Sequence, residues 1–327
     1  NTIIEWDYQL RTRENMTNAI EIRKLHKTYI DGKKGQHKIA LKGIDLDVPQ
    51  GSFFALLGPN GAGKSTMINI MAGLVHKTSG SVSICGYDTE KQMRGARLSI
   101  GVVPQELILD TFFTVREALD IHAGYYGVPK AKRRTQEIID ALGLSDKADI
   151  NSRRLSGGMR RRLLVAKALV HTPPVLILDE PTAGVDVELR TQLWDYVKKL
   201  NQAGTTVLLT THYLEEAEQL CDTIAVINNG EVVACDKKST MLKSFDRKKL
   251  VITTAELIKE IPEKIKQWQV EIDIEGKLII DYKPSKDSIQ DILNAVNAAG
   301  FSVRDLTTQE PDLEDVFLQL TARNKVA

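Results

Sequence analysis

The chemistry of this chain is concentrated in nine consecutive residues, GPNGAGKST, from Gly58 to Thr66. Glycines let a backbone approach a ligand without a Cβ, and a glycine-rich turn between a strand and a helix leaves several N–H groups free to converge on an anion. Gly58, Gly63, Lys64 and Ser65 satisfy G-x-x-x-x-G-K-[ST]. In that arrangement Lys64 reaches the β- and γ-phosphates of a nucleotide as a point charge and the Ser65 hydroxyl holds Mg²⁺. Pro59, Asn60, Gly61, Ala62 and Thr66 complete the cradle.

Two further stretches carry chemistry. The apolar run VLILDEP ends in Asp179, placed to bind Mg²⁺, and then Glu180, placed to polarise an attacking water. Successive strand residues point to opposite sides, so the two acids can take different tasks. LSGGM, at 155 to 159, opens a helical run with Ser156 as the N-cap. Gly157 and Gly158 expose N–H groups there at a positive helix end, which makes a second anion-binding device.

The surrounding pattern must position these groups. IEIRKL and KIALKGIDLDV alternate like an antiparallel β layer around the turn-prone DGKKGQ. FFALL is a buried strand, and Ile68, Met71, Ala72 and Val75 follow the loop at helical spacing. SVSICGYD and IGVVPQ read as strands, and Val115 to about Ala148 as helical, interrupted by GYYGVPK. Then come a helix from LSGGM, the VLILDE strand, a helix over VELRTQLWDYVKKL, the strand TTVLLTTH and a hairpin turning at Asn229-Gly230. Strands alternating with helices imply an α/β fold with a mostly parallel sheet between helical layers.

After about residue 245 short strands and two helices suggest a small α+β appendage. Leu313, Val316, Phe317 and Leu320 form a core-facing stripe on its last helix. The expected organisation is therefore an extension over 1–15, loosely attached to the fold, a nucleotide-binding domain over 16–245 with a helical subdomain at about 106–165, and the appendage over 246–327.

Bulk composition narrows the partners. The 327 residues carry a net charge of +1, so no long-range field recruits nucleic acid or an anionic membrane. No apolar run approaches the ~20 residues that cross a bilayer, and no leader pattern is evident. Cys85, Cys221 and Cys235 form no C-x-x-C pair and are expected to be small buried hydrophobes in a reducing compartment.

With these motifs in this order, residues from about 20 to 240 resemble the nucleotide-binding subunits of ABC transporters. The resemblance implies a P-loop NTPase core with an N-terminal antiparallel β subdomain and a helical insert. LSGGM is similar to the family's signature loop, with Met159 where Gln is more frequent. The same resemblance assigns Gln105 to Mg²⁺ and γ-phosphate sensing, Asp186 in TAGVD to communication between subunits, His212 to the switch histidine, and Tyr29 to stacking on adenine. Taken singly, Tyr29, Gln105 and His212 read as ordinary surface residues.

The implied assembly is a homodimer clamping two ATP molecules head to tail, with Mg²⁺, at the cytoplasmic face of a membrane. A separate transmembrane permease docks on the helical insert, where Phe112, Phe113, Tyr125 and Tyr126 supply aromatics, at least half of them expected in the core. A kinase or GTPase does not need LSGGM, and repeats of GKST or LSGG, expected of two-module translation ATPases, are absent. The PDLEDVFLQLTA tail, Met159, TAGVD and HYLEEAE resemble the exporter branch that moves drugs, lipids or polysaccharides, including bacterial YadG-type and multidrug-export ATPases. An importer ATPase or a soluble ABC ATPase is the alternative.

Overall fold

The computed structural model describes residues 17–30, 37–182, 184–185, 187–256, 258 and 260–322. The expected extension over 1–15 and the DGKKGQ turn lie outside them. The chain divides into two compact units, Asn1–Asp236 and Lys237–Ala327.

The first unit opens with β1 (Asn18–Ile30), β2 (His37–Pro49) and β3 (Phe53–Leu57), then α1 (Lys64–Met71), β4 (Ser79–Ile84), β5 (Tyr87–Asp88), α2 (Met93–Leu98) and β6 (Ile100–Val103). Helices α3 (Val115–Tyr125), α4 (Thr135–Ala141) and α5 (Gly157–Leu169) follow. The unit closes through β7 (Val175–Asp179), α6 (Val187–Gln202), β8 (Thr206–Thr210), α7 (Leu214–Leu220), β9 (Thr223–Asn228) and β10 (Glu231–Lys237).

Two sheets result. The antiparallel one runs β2-β1-β4-β5, and the six-stranded one runs β10-β9-β3-β8-β7-β6. Within the latter β3 lies parallel to β8 and β9, and β7 lies parallel to β6 and β8. Strands β3, β7 and β8 are buried at every position, as a parallel sheet covered on both faces requires.

Helix α1 buries Met67, Ile68, Ile70 and Met71 in one core with Ile20 and Ile22 of β1, Phe54 and Leu56 of β3, and Ile227 of β9. Because both sheets press on it, its apolar residues are not confined to one stripe. It ends at Met71, earlier than the expected run to Val75. Gly73, at φ 67°, breaks the helix, and the Leu74 and Val75 amides turn back to the Asn69 carbonyl.

The hairpin between β9 and β10 turns at Asn229 and Gly230, with φ of 49° and 82°. Cys85 and Cys221 are buried as expected, but Cys235 is exposed, because β10 is an edge strand. No described helix is long and apolar enough to cross a membrane.

The second unit holds α8 (Lys238–Lys243), β11 (Lys248–Thr254), β12 (Gln269–Ile272), β13 (Leu278–Tyr282), α9 (Ile289–Ala298), β14 (Val303–Gln309) and α10 (Leu313–Ala322). Its antiparallel sheet runs β12-β13-β11-β14. Ile292 and Val296 of α9 share a core with Leu250, Ile252, Leu278, Ile280 and Tyr282. In α10, Leu313 and Val316 are buried while Phe317 and Leu320 are half-buried.

Candidate nucleotide site

Strands β6, β7, β8 and β3 run parallel and side by side, so their C-terminal ends share one edge of the sheet. In open α/β sheets that edge is where ligands bind. It carries Gln105 after β6, Asp179 at the end of β7 with Glu180 next to it, Thr210 at the end of β8 with Thr211 and His212 beyond, and the Gly58–Gly63 loop after β3 that leads into Lys64 and Ser65 of α1.

The loop is shaped by what surrounds it. A Cβ on Gly58 would lie 2.3 Å from the Ile227 carbonyl oxygen, and one on Gly63, at φ 112°, would lie 2.8 Å from the Ala40 carbonyl oxygen. The Ala62 carbonyl accepts the Gly230 amide at 2.9 Å, so the β9–β10 turn braces the loop. Pro59, Asn60 and Gly61 are exposed at its crest, and Ala62 is buried. Tyr29 on β1 reaches over to α1, its hydroxyl 3.5 Å from Thr66 Oγ1.

Lys64 is 8% exposed and donates to the carbonyls of Gly58 at 2.5 Å and Pro59 at 3.3 Å. Burial lowers its pKa, and Glu180 and Asp179 act in the other direction. Asp179 is 6% exposed; its burial raises its pKa, while the Thr210 hydroxyl, donating to Oδ1 at 2.5 Å, favours the charged form. The Ser65 hydroxyl is also close enough to Asp179 to favour its charged form. Ser65 and Asp179 therefore stand together, and with the Gln105 amide oxygen they offer hard oxygen donors of the kind Mg²⁺ prefers. The donor set fits that ion.

Glu180 has φ 49°, a left-handed conformation that costs an L-residue roughly 1–2 kcal/mol. Its amide is held by the Thr210 carbonyl at 3.0 Å and the Thr210 hydroxyl at 3.2 Å. Its Oε2 accepts Gln105 Nε2 at 3.0 Å and lies 3.3 Å from His212 Nδ1. Carboxylate, amide and imidazole thus meet at one oxygen, where a water can be oriented and its proton taken.

Behind His212, Thr211 donates to Glu216 Oε2 at 2.9 Å and accepts the Tyr213 amide at 3.0 Å, which fixes the turn carrying the imidazole. Ser156, Gly157 and Gly158 stand apart from this cluster. Ser156 Oγ accepts the Met159 amide at 3.3 Å, Ser156 and Gly157 are exposed, and no described hydrogen bond joins the three to the phosphate loop of the same chain. Asp186 lies outside the described residues.

Thr210 and Arg161 belong to the site although no sequence motif marks them, and Gly230, expected only as a hairpin residue, braces the loop. Arg161, 4% exposed, donates to the carbonyls of Pro104 and Gln105 at 2.8 Å each. The triplet Arg160-Arg161-Arg162 in a helix with a long apolar run is the available signal, since a basic side chain on a buried face needs acceptors.

Residues 41–183 match the family model described as ABC transporter. The chain is 37% identical over 294 residues to the linearmycin resistance ATP-binding protein LnrL of Bacillus subtilis (strain 168), covering 88% of this chain and 94% of that one. The chain belongs to the ABC transporter ATP-binding family. It is also 37% identical over 312 residues to the Nod factor export ATP-binding protein I of Cupriavidus metallidurans, covering 94% and 99% of the two chains.

Among solved structures, this ABC ATPase is similar to an ATP-binding subunit of an ABC transporter, with a TM-score of 0.63 and 29% identity over 69% of this chain and 93% of the other. It is likewise similar to the dimeric cassette MJ0796 in a post-hydrolysis state with ADP and Pi, with a TM-score of 0.62 and 29% identity over 67% and 98%. The α/β P-loop fold and the membership in a family of ATP-hydrolysing transport subunits both follow.

Proposed function

We propose that this ABC ATPase powers export through a separate membrane-spanning permease, working as a head-to-tail pair of copies that clamp two ATP molecules. One observation carries the reading: Lys64, Ser65, Asp179, Glu180, Gln105 and His212 converge on one sheet edge, while the signature residues stand apart from it, with Ser156 and Gly157 exposed. An anion-binding device with nothing to bind in its own chain suits a second copy's ATP. The likeness to a dimeric cassette supports this pairing. The export names of the relatives support the direction.

Each role follows from chemistry. The backbone N–H groups of Asn60 to Thr66 and the Lys64 ammonium neutralise the phosphates, and Tyr29 stacks on adenine. Ser65, Asp179 and Gln105 would hold Mg²⁺, which would supply further charge neutralisation. Glu180 takes a proton from the water that attacks the γ-phosphorus. The bond to the β-bridging oxygen breaks, ADP leaves with the electron pair, and inorganic phosphate is formed.

His212 steadies the γ-phosphate and the water. Ser156, Gly157 and Gly158 of the other copy contact the same phosphate, so its loss releases the pair. Asp186 keeps the intersubunit role implied by the family.

The permease side of the proposal rests on exposed aromatics. Phe112 and Tyr125 leave 85% and 80% of their surface exposed, whereas Phe113 is half-buried and Tyr126 stacks on His171 at 3.7 Å. Isolated aromatic anchors of this kind suit a helix laid across the insert. The cargo class is that of an exporter, a drug, lipid or polysaccharide-type molecule. Binding to the permease holds the chain at the cytoplasmic face of the membrane.

The test is purification of the full chain from native membranes in detergent. A polytopic membrane protein recovered in stoichiometric amount, and lost with Phe112→Asp, is the expected result. Recovery of the chain with no membrane protein would overturn the transport reading.

A further inference from the structure

Helix α5 begins at the signature residues and, five positions after Ser156, presents Arg161 to the loop after β6. The guanidinium donates through Nη1 to the Pro104 carbonyl and through Nη2 to the Gln105 carbonyl, both at 2.8 Å. Two successive carbonyls are thus bridged by one rigid planar fork, a geometry that a lysine cannot reproduce. The side chain is 4% exposed, and the charges of Asp179 and Glu180 are close enough to act on it.

The next residue, Arg162, points elsewhere and donates to the carbonyls of Leu142 at 2.7 Å and Gly143 at 3.0 Å, just past α4. Adjacent arginines therefore tie one helix to two different segments. If α5 shifts, the Pro104–Gln105 backbone must follow it or leave two buried carbonyls and a buried cation without partners. Buried groups orphaned in this way are costly, the cation most of all. Moving that backbone moves the Gln105 amide, which donates to Glu180 Oε2 at 3.0 Å.

We infer that Arg161 is a positioning residue that links the signature end of α5 to Glu180 through the Gln105 backbone, so that contact made by Ser156–Gly158 with a partner's ATP sets the geometry of the water-activating carboxylate in its own chain. The inference rests on the proposed roles of Ser156 and Glu180. It adds a path by which one site of the pair reports its occupancy to the other. Arg161 does not touch substrate.

The test is ATP turnover of the full chain carrying Arg161→Gln, Gln105→Ala and both, with ATP affinity and thermal melting measured alongside. Arg161→Gln is expected to lower kcat by roughly 10- to 100-fold, the scale of a small misplacement of a reacting group. The Kd for ATP should stay within about threefold, because the phosphate loop is untouched.

In the Gln105→Ala background the same change is expected to cost less than about twofold, since the path is already cut. A purely structural role would instead multiply the two losses. Should Arg161→Gln fail to melt cooperatively, Arg161→Lys goes through the same cycle, with an intermediate loss expected.

Parental kcat in the folded arginine variant, or independent losses in the cycle, overturns the inference while Glu180→Gln stays inactive and Gln105→Ala keeps a reduced, measurable turnover. Parental turnover in Glu180→Gln and Gln105→Ala as well would instead show that the site assignment itself is wrong, and the inference with it.

Discussion

Glu180 Oε2 and His212 Nδ1 lie 3.3 Å apart, at the ends of two neighbouring parallel strands. The same oxygen receives the Gln105 amide, so an imidazole and an amide orient one carboxylate from two sides. His212→Ala removes one of those constraints. It is expected to lower kcat by roughly 10²-fold or more, the usual scale for a positioned acid–base group, with ATP affinity nearly unchanged. Steady-state turnover together with nucleotide titration checks the split.

Thr210 sits beneath both acids, donating to Asp179 and accepting from the Glu180 amide. Thr210→Val keeps the shape and removes the hydroxyl. A buried carboxylate losing its donor should cost about 1–3 kcal/mol of stability, and the Mg²⁺ concentration needed for half-maximal turnover should rise. Denaturant unfolding and a Mg²⁺ titration of the ATPase read the two effects separately.

The loop glycines should differ from one another. Gly58→Ala drives a methyl group to 2.3 Å from the backbone oxygen of Ile227, which cannot move without disturbing β9. Overpacking of that kind costs about 1–3 kcal/mol or more. At Gly61, with φ 81°, an added methyl group would meet nothing within 4 Å, so Gly61→Ala is expected to cost only the backbone strain, about 1 kcal/mol. Thermal melts of the two variants test the order.

These examples also show what was legible in the sequence. Gly58, Lys64, Asp179, Glu180 and Ser156 stand in contiguous motifs whose local spacing already implies strand, turn and helix. The alternation of strands and helices agrees with the placement of Gly58, Lys64, Asp179 and Glu180 on one sheet edge, while Ser156 stands apart from it. The roles of Thr210, Gly230 and Arg161 were not legible for a physical reason: their partners, the Asp179 carboxylate and Glu180 amide, the Ala62 carbonyl, and the Pro104 and Gln105 carbonyls, lie in segments distant in the chain. Tyr126 is one of four rings of which at least half are expected in the core, but its stacking on His171 is a pairing that local pattern could not contain.

His171 supplies the pH dependence. Its ring is 2% exposed and Nε2 donates to the Ile100 carbonyl at 3.1 Å, leaving Nδ1 buried without a partner. Burial lowers its pKa from 6.5 to about 4, helped by His122. The folded state therefore resists protonation that the unfolded state accepts, so stability is full above pH 6.5 and falls as the pH drops from 6.5 toward 4. At about pH 5 the loss from this residue is about 2 kcal/mol. Unfolding midpoints between about pH 7.5 and about pH 5 should fall steeply in the parent and less steeply in His171→Asn.

The most direct measurement is sedimentation of the Glu180→Gln variant with and without Mg-ATP. If Lys64 of one copy and Ser156 of the other grip the same γ-phosphate, ATP must convert monomer to a persistent dimer in this variant, and adding Ser156→Arg must abolish the conversion while ATP still binds. A species that remains monomeric at saturating ATP, or a dimer indifferent to Ser156→Arg, would contradict the shared site.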